Sequence, residues 1–319
     1  MIYDVAIIGG GPGGAAAAIY AARKKLKTVL ITDFFGGQSL VSADIQNWIG
    51  TPSISGYDFG KMLEKQVRSQ EGITIEDGSL AKTITSLPTV TNNEKTLPQF
   101  SVTTDTGKTF TTTTVLLVSG SHHKRLNVPG EKDFEGKGVA YCSICDAPLF
   151  QGKDVAVIGG GNAGLEAVID LLPYATHTTL LHRGGVLKGD QVTQEKIKIN
   201  KNVSIILNAQ IQSVVGKDSL VTGLVYLDKA TNKEITLPVQ GVFVEIGALP
   251  NSGMVKGIVN MTERGEVVVD HKSQRTSLLG IWASGDVSDV LYRQNNISVG
   301  DSIKAILDIY AFLHLGNST

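Results

Sequence analysis

The chain has 319 residues, with 29 Lys plus Arg against 30 Asp plus Glu and a formal net charge of −1. That length suits two domains that each bury a core, and dispersed, balanced charge removes the electrostatic footprint of a nucleic-acid or anionic-membrane partner. No apolar run approaches the roughly 20 residues that span a bilayer, and the start passes straight into an apolar strand without a basic leader, so a cytoplasmic protein is expected.

Tyr3 to Ile8 reads as a buried strand. A glycine turn follows, Gly9-Gly10-Gly11-Pro12-Gly13-Gly14, then an alanine-rich helix from Ala15 to Ala22 and a second strand, Thr28 to Thr32. This is a βαβ unit. In that setting Gly9 allows the tight turn, Gly11 lets a pyrophosphate approach the backbone, and Gly14 lets helix and strand pack closely. Asp33, just past the second strand, is placed to hydrogen-bond a ribose. A glycine turn without a ligand is the plainer alternative. Further on, Phe100 to Thr103 and Thr109 to Val118 alternate or run β-branched, which makes the threonine run a sheet face.

The only two cysteines stand at Cys142-Ser143-Ile144-Cys145, followed by Asp146. In a cytosolic chain that spacing points to redox or metal chemistry. A structural zinc site needs four ligands, and no second pair is available, so a redox dithiol is the better reading. Such a pair needs a nearby proton donor when its disulfide breaks. Asp146 is the candidate; its alternative is a cap at the start of a helix. The βαβ arrangement then recurs: strand Val155 to Ile158, turn Gly159-Gly160-Gly161-Asn162-Ala163-Gly164, helix Leu165 to Leu172, strand Thr178 to Leu181. Gly159, Gly161 and Gly164 repeat the roles of the first fingerprint. After that strand come Arg183 and Lys188 and no acid, which leans toward the 2′-phosphate of NADPH; a site that binds no nicotinamide cofactor stays open.

Near the end of the chain, Gly280 to Asp286 forms a second Gly-Asp element before a helix from Ser298 to Leu313 and a short polar tail. If Asp286 serves the first domain's ligand, the second domain is inserted into the first. The expected class is therefore α/β, with two Rossmann-like (doubly wound, three-layer) nucleotide-binding domains: residues 1–120 with 248–319, and residues 121–247 carrying the cysteine pair. Ser119 to Lys124 and Ile246 to Asn251, rich in Gly, Ser, Asn or Pro, are the candidate crossings and a double hinge.

With these pieces in order, the chain resembles the low-molecular-weight thioredoxin reductases, and is similar to the C-terminal half of the flavoprotein component of alkyl hydroperoxide reductase. The likeness runs through both glycine turns, Phe35-Gly36-Gly37-Gln38, Asn47-Trp48-Ile49-Gly50, Tyr141 to Asp146, Ser284-Gly285-Asp286 and Tyr292-Arg293-Gln294. It implies FAD in the first domain, with Asp33 at the adenosine ribose, Gly37, Gln38 and Asn47 along the flavin, and Asp286 on the ribitol chain. Arg293 and Gln294 would begin a helix whose N-terminus faces the flavin's pyrimidine edge. The resemblance makes Cys145 the sulfur nearer the flavin, Cys142 the attacker of a partner disulfide and Asp146 the general acid. Stretches such as Asp146-Ala147-Pro148-Leu149-Phe150 favour the peroxide-reductase branch, whose activity would need a separate thioredoxin-like partner. Gly184 and Lys188 stand where thioredoxin reductases usually carry arginines, and His182 where NADH-linked relatives carry an acid.

The expected protein is a homodimeric flavin-dependent disulfide oxidoreductase of the thioredoxin reductase type. Electrons would pass from a donor, NADPH favoured weakly, through FAD to the Cys142–Cys145 disulfide and on to a thioredoxin-like protein. One rival is a relative independent of NAD(P)H, fed by ferredoxin or a second flavin. Another is a non-catalytic flavin redox sensor.

Overall fold

The structure, a computed structural model, describes residues 1–42, 44–92 and 95–315; the expected polar tail lies outside them. By internal contacts the chain forms two compact units, one of residues 1–40, 48–122 and 249 onward, the other of 41–47 and 123–248.

In the first unit β1 (Ile2–Ile8) turns into α1 (Pro12–Arg23) and returns as β2 (Thr28–Thr32), parallel to β1 with Val5 opposite Thr28. α1 starts three residues earlier than its alanines suggest. Pro12 occupies its first turn, where a missing N–H costs nothing, so the glycine turn itself is partly helical. α2 (Gly56–Arg68) is capped by Ser55, whose hydroxyl accepts from Asp58 N–H at 3.0 Å, and buries Phe59, Leu63 and Val67 at every fourth position. It leads to β3 (Ile73–Asp77) on the outer edge of β2. A long antiparallel pair, β4 (Ala81–Asn92) and β5 (Lys95–Thr104), then feeds β6 (Thr109–Leu117), which lies parallel to β1 on its other side. The side of β1 on which the chain first continued is thus opposite to the side where β6 joins. Ligands in sheets of this kind sit at the carboxyl ends of strands at such a reversal.

The chain leaves through β7 (Ser121–His123). The second unit holds β8 (Val139–Ala140), α3 (Ser143–Asp146), β9 (Asp154–Ile158), α4 (Asn162–Leu171), β10 (His177–Leu181), α5 (Gln191–Lys198) and β11 (Val203–Ile206). An antiparallel sheet of β12 (Ala209–Lys217), β13 (Leu220–Asp228) and β14 (Lys233–Leu237) precedes β15 (Gly241–Val244). The parallel sheet runs β11-β10-β9-β15-β8. Alternation along β9 defines the layers. Val155 and Val157 join a core with Leu165, Val168, Leu171 and Ile197 of the helices, whereas Ala156 and Ile158 join Val214, Leu224 and Tyr226 of the antiparallel sheet. Each such aliphatic side chain is fully or almost fully buried, worth about 1.5–3 kcal/mol. The third layer is therefore a sheet and not a set of helices, because β12 to β14 carry β-branched, period-two sequence.

Return is through β16 (Ala248–Pro250), which pairs with β7, so both candidate crossings contain short paired strands. β17 (Ile281–Ala283) then joins the first unit's sheet. β6 gives its start, Thr109 to Thr112, to β5 and its end, Val115 to Leu117, to β17. The last helix, α6 (Asn295–His314), is fixed to β17 by Asp308. That carboxylate accepts from Trp282 Nε1 at 2.8 Å and from Arg275 Nε at 2.6 Å.

Candidate active site

The first glycine turn closes at the end of β1. Gly9 sits at φ +117°, and a Cβ there would lie 2.3 Å from Val118 O. A Cβ on Gly14 would lie 1.8 Å from Gly9 O, so only glycine lets helix and strand pack this closely. Gly11, the residue before α1, faces open space bounded by Gly37 Cα at 4.0 Å, and Gly37 itself takes φ +57°. Asp33 is exposed just beyond β2. Gln38 donates from Nε2 to Ser121 O, and the Ser121 side chain is hydrogen-bonded to Asp286. Ser121 therefore links two residues assigned from sequence to one ligand, a connection the sequence did not reveal. Burial pushes the Asp286 carboxyl up, against the opposing pull of Arg293 and of the Ser121 bond. Arg293 donates to Glu266 Oε1 at 2.6 Å, while its buried Nε has no partner. Gln294 is the residue just before α6 rather than one within it. Asn47 lies in the segment grouped with the second unit, apart in the contact pattern from Gly37 and Gln38.

The second turn repeats the first at the end of β9. Gly159 takes φ +137°, with a Cβ blocked by Glu245 O at 2.1 Å, and Gly164 is blocked by Gly159 O at 1.8 Å. Around Gly161 nothing lies within 4 Å of a Cβ. His182 accepts at Nδ1 from Gly160 N–H at 3.2 Å. Burial, then Lys188 and Arg183, lower its pKa and favour the neutral ring. Arg183 and Lys188 are both exposed, and the Lys188 and Gly189 N–H groups fold back onto Gly160 O at 2.7 and 3.1 Å.

Helix N-termini separate the candidate cradles from the scaffold. α2 and α5 are capped by the side chains of Ser55 and Asp190. α1, α4 and α6 have no side-chain cap, at Gly11, Gly161 and Gln294. Uncapped N–H groups at a glycine turn, carrying the positive end of the helix dipole, form an anion site. Open space at Gly11 and Gly161 and the unpartnered Arg293 Nε fit two dinucleotides, FAD on the first turn and a nicotinamide nucleotide on the second.

The cysteines form a disulfide with Cα atoms 5.3 Å apart, and Cys142 Sγ caps α3 by accepting from Cys145 N–H at 3.3 Å. Ser143, between them, donates to Asp170 Oδ2 at 2.7 Å. Asp146 ends α3 and makes no side-chain cap to the following turn, so the capping alternative has no support in its geometry. Burial raises its carboxyl to about 6. A half-buried acid that keeps a proton near neutrality is equipped to donate one. Glu245, at the end of β15, was not found from sequence. Its carboxyl is raised to about 8, chiefly by burial and further by Asp170, Glu166 and Asp146, against a hydrogen bond from the Ser143 backbone. The readable signal was a lone acid closing the apolar run Gly241 to Val244.

No helix among the described residues is long and apolar enough to cross a membrane. Among the same residues no group of three or more His, Cys, Asp or Glu is placed to hold a metal ion. The family model described as pyridine nucleotide-disulphide oxidoreductase matches residues 3–302. The F component of alkyl hydroperoxide reductase from Staphylococcus aureus (strain Mu50 / ATCC 700699) is 41% identical over 311 residues, covering 98% of this chain and 59% of that protein. NADH dehydrogenase of Bacillus subtilis (strain 168) is 40% identical over 311 residues, covering 98% and 58%. The chain thus spans about three fifths of the length of these relatives. The solved thioredoxin reductase from Streptococcus pyogenes MGAS5005 matches with a TM-score of 0.90 at 30% identity, over 98% of this chain and 99% of that one. Two glycine cradles, a disulfide and these likenesses agree: the chain belongs to the pyridine nucleotide-disulphide oxidoreductase family and is an FAD oxidoreductase with a disulfide redox centre.

Proposed function

We propose that the protein passes electrons from NADPH, with modest preference over NADH, through FAD to the Cys142–Cys145 disulfide and on to a thioredoxin-like protein, acting as a cytoplasmic homodimer. The observation that carries this reading is the pairing of two uncapped glycine turns with one disulfide in a single chain. Residues 1–120 and 248–319 would hold FAD, with Gly9, Gly11 and Gly14 admitting its pyrophosphate, Asp33 its ribose and Asp286 its ribitol. Gly37, Gln38, Asn47, Arg293 and Gln294 would complete that site. Residues 121–247 would hold the nicotinamide nucleotide on Gly159, Gly161 and Gly164, with Arg183 and Lys188 toward a 2′-phosphate. Bound FAD would supply two-electron chemistry between nicotinamide and disulfide. Cys145 would be the sulfur nearer the flavin, Cys142 the attacker of the partner disulfide, and Asp146 the proton donor to the departing sulfur. The crossings at Ser119–Lys124 and Ile246–Asn251 would serve as the double hinge that lets one dithiol meet first a flavin and then a protein.

Anaerobic titration with NADPH and, separately, NADH tests the donor by bleaching of the flavin band. Cys145→Ser should form a mixed disulfide with a thioredoxin-like trap through Cys142. A second reading, supply by ferredoxin or a second flavin, rests on Gly184 and Gly185, which offer no side chain to a 2′-phosphate. It takes over if millimolar amounts of both nucleotides leave the flavin oxidised while dithionite or reduced ferredoxin bleaches it.

A further inference from the structure

Glu245 takes no part in the electron path above, yet strand register sets it beside the redox pair. β15 lies parallel to β8 with Val242 opposite Val139 and Phe243 opposite Ala140. β15 ends at Val244 and β8 at Ala140, so Glu245 directly follows one strand and Cys142 stands two residues past the end of the other. The Glu245 carboxylate accepts a hydrogen bond from the backbone N–H of Ser143, the residue that follows Cys142 in the turn. Its own carbonyl lies against Gly159, just past the end of β9, where a Cβ would stand 2.1 Å from it. The charged groups acting on it are Asp170 and Glu166 on α4 and Asp146 on α3, all of one sign. Lys124, in the outgoing crossing, lays its stem against Gly247 in the returning one.

We propose that Glu245 is a positioning residue for the disulfide–dithiol cycle: it holds the Ser143 turn through that hydrogen bond, permits a thiolate on Cys142–Cys145 as the neutral acid, and suppresses that thiolate as the carboxylate. The proposal rests on the reading of the cysteines as the redox pair and adds the group that sets their proton count. When a dithiol reductant passes two electrons to the pair, the reductant becomes a disulfide and the Cys142–Cys145 bond breaks. Its two sulfurs then take up two protons, or one where a thiolate persists. A second negative charge beside the turn disfavours that thiolate. Glu245 changes charge close to the range where free thiols titrate, so the two ionisations oppose each other and spread one another over pH.

The test uses the whole protein reduced with dithiothreitol, freed of reductant under argon, and alkylated with iodoacetamide across pH, read by mass spectrometry. With two cysteines in the chain, the signal belongs to this pair alone. The native protein should show a thiolate titration broader than a single-proton curve. Glu245→Gln, which keeps the hydrogen-bond acceptor and removes the charge, should narrow that curve and move it down by about one pH unit, giving several-fold faster alkylation at about pH 8. Superposed curves for Glu245→Gln and the native chain overturn the proposal, and so does a change confined to Glu245→Ala, which would mark a packing role only. If Glu245→Gln does not fold, the native protein's infrared spectrum decides: a protonated-carboxyl band at neutral pH must shift between disulfide and dithiol forms, and an unchanged band overturns the proposal. Should dithiothreitol free no alkylatable thiol in any form, the redox reading itself falls and this inference with it.

Discussion

The two glycine turns are near-copies in backbone and opposites in cover. A Cβ on Gly14 or on Gly164 would stand at the same 1.8 Å from the carbonyl oxygen of Gly9 or Gly159. Gly13 of the first turn, however, packs under α6, where a Cβ would meet Ser298 Oγ at 2.4 Å and Ser302 Oγ at 2.6 Å. The matching Ala163 of the second turn is exposed, as is Asn162 beside it. The comparison separates two requirements that a fingerprint motif merges. Close approach of backbone to anion is local and is repeated. Enclosure is not local, and only the first turn receives it, from a helix near the far end of the chain. That difference suits a resident group on the first turn and an exchanging one on the second.

The sharpest way to break this comparison is to damage each turn identically. Gly14→Ala and Gly164→Ala both force a methyl into a backbone carbonyl, at a cost of about 3 kcal/mol or more each. Gly14→Ala should purify without flavin. Gly164→Ala should remain yellow with one FAD per chain, yet show no bleaching by NADPH. Absorbance after gel filtration reads both; a colourless Gly164→Ala would show that the turns do not divide the work. A smaller effect is expected from Asp286→Ala. Losing a charge-assisted hydrogen bond costs about 1.5–3 kcal/mol, so flavin affinity measured by fluorescence should fall by one to two decades. Unchanged affinity would remove Asp286 from the enclosed site.

On the open turn the expected changes are milder. Arg183→Ala should erase preference for NADPH over NADH in stopped-flow flavin reduction, a change of about tenfold or less. Arginine at Gly184, where a Cβ would stand 3.1 Å from His182 Nε2 and need only a slight shift, should strengthen NADPH. The smallest effect concerns stability. Asp146 has its carboxyl raised to about 6 by burial, above its usual 3.8, so the folded protein holds a proton that the unfolded chain releases. Stability from this group is complete below the unfolded value and is lost as pH rises through the folded one. Thermal unfolding should therefore drop by a few degrees between about pH 4 and pH 7, and Asp146→Asn should flatten that slope. An identical slope in the variant would dissociate Asp146 from the effect.

Much of the fold was legible because its signals are local. The strand-turn-helix units around Gly9 and Gly159 appear where periodicity and glycine spacing put them, and the threonine run before Val115 is a strand. The antiparallel layer from Ala209 to Leu237 was not anticipated, since β-branched alternation does not say what a strand packs against. At the site, the cysteine pair and Asp146 were readable from adjacency. Ser121 and Glu245 were not: one becomes polar company for Asp286 and the other for Ser143 only through strand pairings across more than a hundred residues.

The division of β6's far edge between β5 and β17 dictates an order of assembly during synthesis. When the ribosome has delivered Leu117, the carboxyl half of that strand has no neighbour on one side, and α1 lacks the helix that will pack on it. Both are supplied only after the inserted unit has been made, some 160 residues later for β17 and more for α6. At roughly 5–20 residues per second that is a wait of about ten to thirty seconds. The inserted unit can therefore finish folding while the earlier one is still half a sheet with an unfilled edge. A nascent chain stalled before Ile281 should thus display a protease-resistant second unit beside a labile first one, and the unfilled edge of β6 is where chaperone capture or mispairing would begin.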